Sequence, residues 1–296
     1  MATTVLGLKT FAASDPVDYN EINDNYNKID SGVKTALQGR AAHNLLDNSD
    51  FSNPIAQAGL NGMHGSTKYV CDRWISWDAD ATFGSGYITP GSPIDQHLSK
   101  TVVNINKTYT AAICLSDGTI KAESGTFSNG FGSYVLGIYC MKQTDSSGYV
   151  IVRLNTGNNI RWAALYEGSY TADTLPAYQP KGYAAELAEC QRYYWRYWQN
   201  NNFDIGHGYM NTTDTANITF DFPTKMRIAP TITIGDISTL RVMCVNGLKG
   251  ATAYSVVKTT DKQMMVGFTL DSTSTAFTPC VMRSNSGTTI EFSADL

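Results

Sequence analysis

Four histidines are the first residues to test for chemistry in this chain of 296 residues: His43, His64, His97 and His207. None has an acidic neighbour at triad spacing, and neither the histidines nor the six cysteines fall at zinc-ligand spacing. They read as surface or turn histidines. Serine is abundant, yet no Gly-x-Ser-x-Gly elbow occurs. Glycoside hydrolysis needs two carboxylates across a cleft, a pair that sequence neither reveals nor excludes. With no positive motif, the chain reads as a non-enzyme. Asp78-Ala-Asp80 opens like a calcium loop but lacks Gly at the sixth position and Glu at the twelfth. Caps and turn bonds account for Asp47, Asp50 and Asp72, with a structural calcium ion among them as the alternative. No cofactor is expected.

Binding chemistry has better material. Sugar rings offer apolar C–H faces that stack on aromatic side chains, while amides and carboxylates bond the hydroxyls. Exposed Trp or Tyr in polar surroundings is therefore what a glycan receptor requires. Trp77 and Tyr87, in the polar stretch from Ser76 to Gly91, meet that description, as do Tyr209 and Tyr254 further along. Trp74 and Trp162 stand in strand-like surroundings and read as core.

The elements that must position these residues are mostly strands. Hydrophobic residues make up 42% of the chain, enough for real cores, and charged residues only 16%, below the usual quarter. A net charge of -4 without a Lys/Arg block gives no footprint for nucleic acid or anionic lipid. No segment approaches the roughly 18 apolar residues of a membrane span, so no membrane insertion is expected. The first ten residues lack a basic region ahead of an apolar core, which predicts synthesis in the cytoplasm and reduced cysteines.

A helix is predicted from about 17 to 38, opened by Asp15 and Pro16 or by Asp18 with Glu21. Its Ile22, Tyr26, Ile29 and Val33 recur at spacings of four and three, the seam of a short coiled coil or the buried side of one amphipathic helix. From Asn44 to about Pro180, short strands at roughly ten-residue spacing, with turns such as Asp117-Gly118, predict a jelly-roll β-sandwich. Next, Glu186 to Gln199 holds Tyr193, Tyr194, Trp195, Tyr197 and Trp198. Read as a linking helix over about 183 to 199, it is aromatic on every side and must be enclosed. A second β-rich block, 203 to 296, predicts a C-terminal β-sandwich. The expected divisions are 1–43, 44–180, 181–202 and 203–296, and the fold is mainly β.

Three stretches together resemble tail-fibre and receptor-binding proteins of bacteriophages, prophages and phage-tail-like particles. Thr4-Val-Leu-Gly-Leu-Lys9, Asp15-Pro-Val-Asp18 and Ile22-Asn-Asp-Asn-Tyr-Asn-Lys-Ile29 are similar to their N-terminal attachment segments. Asn44-Leu-Leu-Asp-Asn-Ser-Asp-Phe51 with Cys71-Asp-Arg-Trp74 resembles the opening of their carbohydrate-binding-module-like jelly rolls. Glu186-Leu-Ala-Glu-Cys-Gln-Arg-Tyr-Tyr194 and Phe222-Pro-Thr-Lys-Met-Arg-Ile-Ala-Pro230 resemble the helix and C-terminal domain that follow. The resemblance implies a homotrimeric virion adhesin, made in the host cytoplasm, joined to tail or baseplate proteins through its N-terminus. Its C-terminal domain would meet a bacterial surface glycan or protein. Ile22, Tyr26, Ile29, Val33, Tyr194, Trp195 and Trp198 would then lie at the trimer interface. The alternatives are a structural tail component without a ligand, or a polysaccharide depolymerase.

Overall fold

The computed structural model describes residues 18–38, 43–64, 66–142, 148–198, 204–284 and 288–295. Helix α1 (Tyr19–Gln38) starts where the Asp18 carboxylate accepts from the Asn20 backbone N–H at 2.9 Å, the second of the two predicted caps. Tyr26 is 67% and Ile29 41% exposed, with Ile22 half-buried, so the described residues leave this seam open. The side chain of Val33 lies outside the described residues.

Twelve strands follow: β1 (Met63–His64), β2 (Thr67–Cys71), β3 (Trp74–Ser76), β4 (Thr82–Gly84), β5 (Tyr87–Thr89), β6 (Ile94–Ser99), β7 (Thr108–Leu115), β8 (Ile120–Thr126), β9 (Phe131–Ser133), β10 (Ile138–Lys142), β11 (Tyr149–Leu154) and β12 (Ile160–Glu167). They form a seven-stranded sheet ordered β1-β2-β3-β6-β11-β10-β9 and a five-stranded sheet ordered β4-β5-β12-β7-β8. The period-2 pattern puts Val150, Val152 and Leu154 of one sheet and Ile113, Ala163 and Leu165 of the other into one shared core. The inward Gln96 is fully buried and spends its amide on the backbone of Asp47, accepting from its N–H at 2.9 Å and donating to its carbonyl at 2.7 Å. The other side of the seven-stranded sheet is left for Asp95, Arg153 and Tyr139.

The predicted aromatic helix is corrected. Helix α2 (Tyr183–Gln191) stops before the aromatic residues, and Tyr194–Trp198 is a strand, β13. Alternation explains it. Trp195 and Tyr197 pack into the C-terminal core, Trp195 stacking on Phe292 at 5.1 Å, while Tyr194 turns the other way and stacks on His64 at 3.5 Å. Aromatic residues favour strands, and here each face of the strand is covered by a different part of the same chain. Tyr194, expected between subunits, is thus covered from within, Trp195 is partly buried, and the side chain of Trp198 lies outside the described residues.

The C-terminal block has β14 (Asp204–Met210), β15 (Thr215–Asp221), β16 (Thr231–Ile234), β17 (Leu240–Cys244), β18 (Gly247–Thr259), β19 (Gln263–Leu270), β20 (Pro279–Ser284) and β21 (Thr289–Ser293). It is a closed barrel, β14-β15-β19-β18-β17-β20, beside a small β13-β21-β16 sheet, which corrects the expected second sandwich. The long strand β18 is the cause. It pairs with β17 over its first residues and with β19 over the rest, with register shifts near Ala251 and Val257 that bend it and let the sheet close. All six cysteines are free and buried.

Candidate binding face

Register builds the face. Ile75 of β3 pairs with Asp95 of β6, Asp95 with Arg153 of β11, Arg153 with Tyr139 of β10, and Tyr139 with Gly132 of β9. These five residues therefore form one row on the outer side of the seven-stranded sheet, crossing four strand spacings or about 19 Å. The Asp95 carboxylate is fully buried beneath this row. It accepts from Arg153 Nε at 2.7 Å, from Arg153 Nη2 at 2.8 Å and from Trp77 Nε1 at 2.8 Å. Hydrogen bonding to Asp95 raises the pKa of Arg153 further, so the guanidinium stays charged.

Trp77 is held there with its ring outward. It is 60% exposed, and the Arg153 guanidinium carbon lies 5.2 Å from the ring centroid. The loop that carries it is tied down: Ser76 donates to the Ala79 carbonyl at 2.7 Å, and the backbone N–H groups of Asp78 and Ala79 each reach Ser92 Oγ at 3.2 Å. Beside Arg153 lies a hollow of about 300 Å³ lined by Ser133, Tyr134, Tyr139, Met141, Arg153 and Asn155. Tyr134 is 66% exposed at its rim, and its hydroxyl pairs with Thr156 Oγ1 at 2.9 Å. A second hollow of about 390 Å³ shares Tyr139 and Met141 and ends at Lys142. A larger one, about 530 Å³, lies away from the row, between Lys100–Lys107 and Glu167, and is bounded by the Lys107–Glu167 ion pair.

The other three predicted ligand residues are not brought to this face. Tyr87 belongs to the five-stranded sheet, its ring lying across Gly84, where a β-carbon would collide with it. Tyr209 pairs through Asn217 and Gly267 with Ser255, so Tyr209 shares a side of the barrel wall with Ser255 and Tyr254 lies on the opposite side. Tyr209 also accepts from Asn217 Nδ2 at 3.3 Å.

A second polar cluster is buried and structural. Arg73 reaches Asp47 at 3.2 Å, Asp295 at 3.6 Å and the His97 carbonyl at 2.8 Å, and its guanidinium lies 3.4 Å over the Tyr193 ring. His64, expected at the surface, is corrected. It is buried between the rings of Tyr69 and Tyr194, with Nε2 3.5 Å from Asp72 and Nδ1 3.7 Å from Asp295. The second separation is an ion-pair distance too long for a hydrogen bond. Glu186 of α2 accepts from the Asn48 N–H, which joins the second and third resembling stretches directly. Burial pushes the Glu186 carboxyl above its ordinary range, against the opposing effect of that hydrogen bond.

The calcium alternative finds no support in Asp47, Asp50 and Asp72. Asp50 accepts from Ser52, Asp72 accepts from Gln57, and Asp47 faces Arg73. Among the described residues, the acidic group close enough to hold an ion is Asp47, Glu186 and Glu189, and the Lys181 ammonium already lies against Asp47 and Glu189.

Comparison of the chain with protein families, with curated proteins and with solved structures returns no match. Sequence reading singled out Trp77 but not its neighbours Asp95, Arg153, Tyr134 and Tyr139. The first two stand 58 positions apart and meet only through the pairing of β6 with β11.

Proposed function

We propose that this chain is a receptor-binding or tail-fibre protein of a phage or phage-tail-like particle, and that its sandwich, of jelly-roll type, binds a bacterial surface glycan. The observation that carries this is the outward indole of Trp77, fixed from below by Asp95 and lying against Arg153, which in turn lines a hollow with Tyr134, Tyr139, Ser133 and Asn155. A held ring costs little entropy on binding a sugar face, and the surrounding hydroxyl, amide and guanidinium groups match sugar hydroxyls. The viral part of the reading is supported by the order of the three resembling stretches along the chain.

On this reading α1 and the segment before it join tail or baseplate proteins and bring copies of the chain together, with a homotrimer as the proposed state. Three weak sites on one particle appendage then hold by avidity. The face binds without catalysis, and the protein belongs to the virion. Glycan-array binding by the intact chain tests the proposal: binding to at least one bacterial surface glycan, lost in Trp77→Ala, is expected. An array on which the folded protein binds nothing would refute it.

A further inference from the structure

Resting on that binding face, we propose that Asp95 sets its ligand class: by cancelling the charge of Arg153 it makes the face selective for uncharged glycans over acidic ones. An arginine grips a carboxylate best with two parallel N–H groups, and the Nε/Nη2 edge of Arg153 is already used in this way by Asp95. Asp95 is fully buried, so its charge stays close to the guanidinium and is poorly screened by solvent. What Arg153 offers outward is a set of donors without net charge.

Trp77 adds to this. Its ring nitrogen donates downward to Asp95, so the ring presents an apolar face with no donor of its own toward a ligand. The remaining lining of the adjoining hollow, Ser133, Tyr134, Tyr139, Met141 and Asn155, carries no charge. Hydroxyls, an amide and aromatic faces pair with the hydroxyls and C–H faces of a neutral pyranose. A uronic or sialic acid would surrender the hydration of its carboxylate without gaining a free cation. Lys142 lines the neighbouring hollow beyond Tyr139 and Met141, and acid binding there is the outcome that competes with this proposal.

The test is an array of dextran, mannan and a β-glucan against polygalacturonate, hyaluronan and polysialic acid, probed with the intact chain at about 50 and 500 mM salt. Neutral probes are expected to bind at least about tenfold more tightly than acidic ones, with little change between the two salt concentrations. Asp95→Asn leaves Arg153 uncompensated and is expected to raise binding of the acidic probes about tenfold in a salt-sensitive manner. Should that variant fail to fold, the salt response of the native protein decides alone. Preference for acidic probes, lost at high salt and still dependent on Trp77, would overturn the selectivity assigned to Asp95 and leave the glycan-binding face standing. Binding indifferent to Trp77→Ala, or no glycan binding, would overturn both.

Discussion

Arg73 sits at a φ of 74°, a backbone region that long side chains avoid, and its side chain is buried. Asp47, Asp295, the His97 carbonyl and the Tyr193 ring receive its guanidinium and hold it in that conformation. Removing one partner from a buried ionic network strands the others, so Arg73→Met is expected to cost about 3–5 kcal/mol of unfolding free energy in urea. A loss under about 1 kcal/mol would contradict the role assigned to this residue. His64 makes a second prediction at this scale. Burial lowers its proton affinity, but Asp295 and Asp72 raise it more, and the net pKa in the folded chain lies above 6.5. Tyr69 and Tyr194 cover its two faces, and Arg73 shares Asp295 with it. A raised folded value means that the proton's stabilisation is complete below the unfolded pKa and is lost as pH rises through the folded one. The Tm advantage of the native protein over His64→Gln should therefore be greater at about pH 6 than at about pH 9. Identical pH dependence in the two proteins would rule this out.

At the scale of elements, β13 does the joining. Tyr194 faces the sandwich, where its carbonyl also accepts from Gln57 Nε2 at 2.7 Å, while Trp195 packs on Phe222 and Phe292. Truncation of Trp195 to Ala leaves a hole between those rings and is expected to cost about 3 kcal/mol by urea denaturation, with a change under about 1 kcal/mol contradicting the packing. The strand could not be recognised from its pattern. Periodicity separates strand from helix only when one side is polar, and here the sandwich takes one face and the barrel the other, so Tyr193 to Trp198 looks the same in either form. Strand β11 was legible because Arg153 stands between buried Val152 and Leu154, so its alternation shows in the sequence. Barrel closure was not, since it depends on where β18 changes partner. The Asn44–Phe51, Cys71–Trp74 and Glu186–Tyr194 stretches were conspicuous for a structural reason: Asn48, Asp72, Arg73 and Glu186 meet at the buried junction. Trp77 was legible as an aromatic residue among polar ones, but its partners Asp95 and Arg153 come from β6 and β11, and no local pattern announces their pairing.

Two of the exposed surfaces among the described residues suit different partners. On α1, Tyr26 and Ile29 lie at the spacing of a helix seam, which suits further copies of the same helix. The proposed assembly predicts the mass of a trimer under native conditions and its dissociation to monomers in Tyr26→Asp/Ile29→Asp; a native protein that is monomeric at micromolar concentration would contradict it. On the sandwich, Trp77 stands among fixed polar groups, which suits a sugar ring. The proposed function requires this ring to bind glycan. It is tested most directly by calorimetric titration of the intact chain, and of Trp77→Ala, with purified bacterial surface polysaccharides. Saturable binding that weakens about tenfold or more in the folded variant, a loss of about 1.4 kcal/mol, is the predicted result. Equal affinity of the two proteins for the same polysaccharide would contradict it.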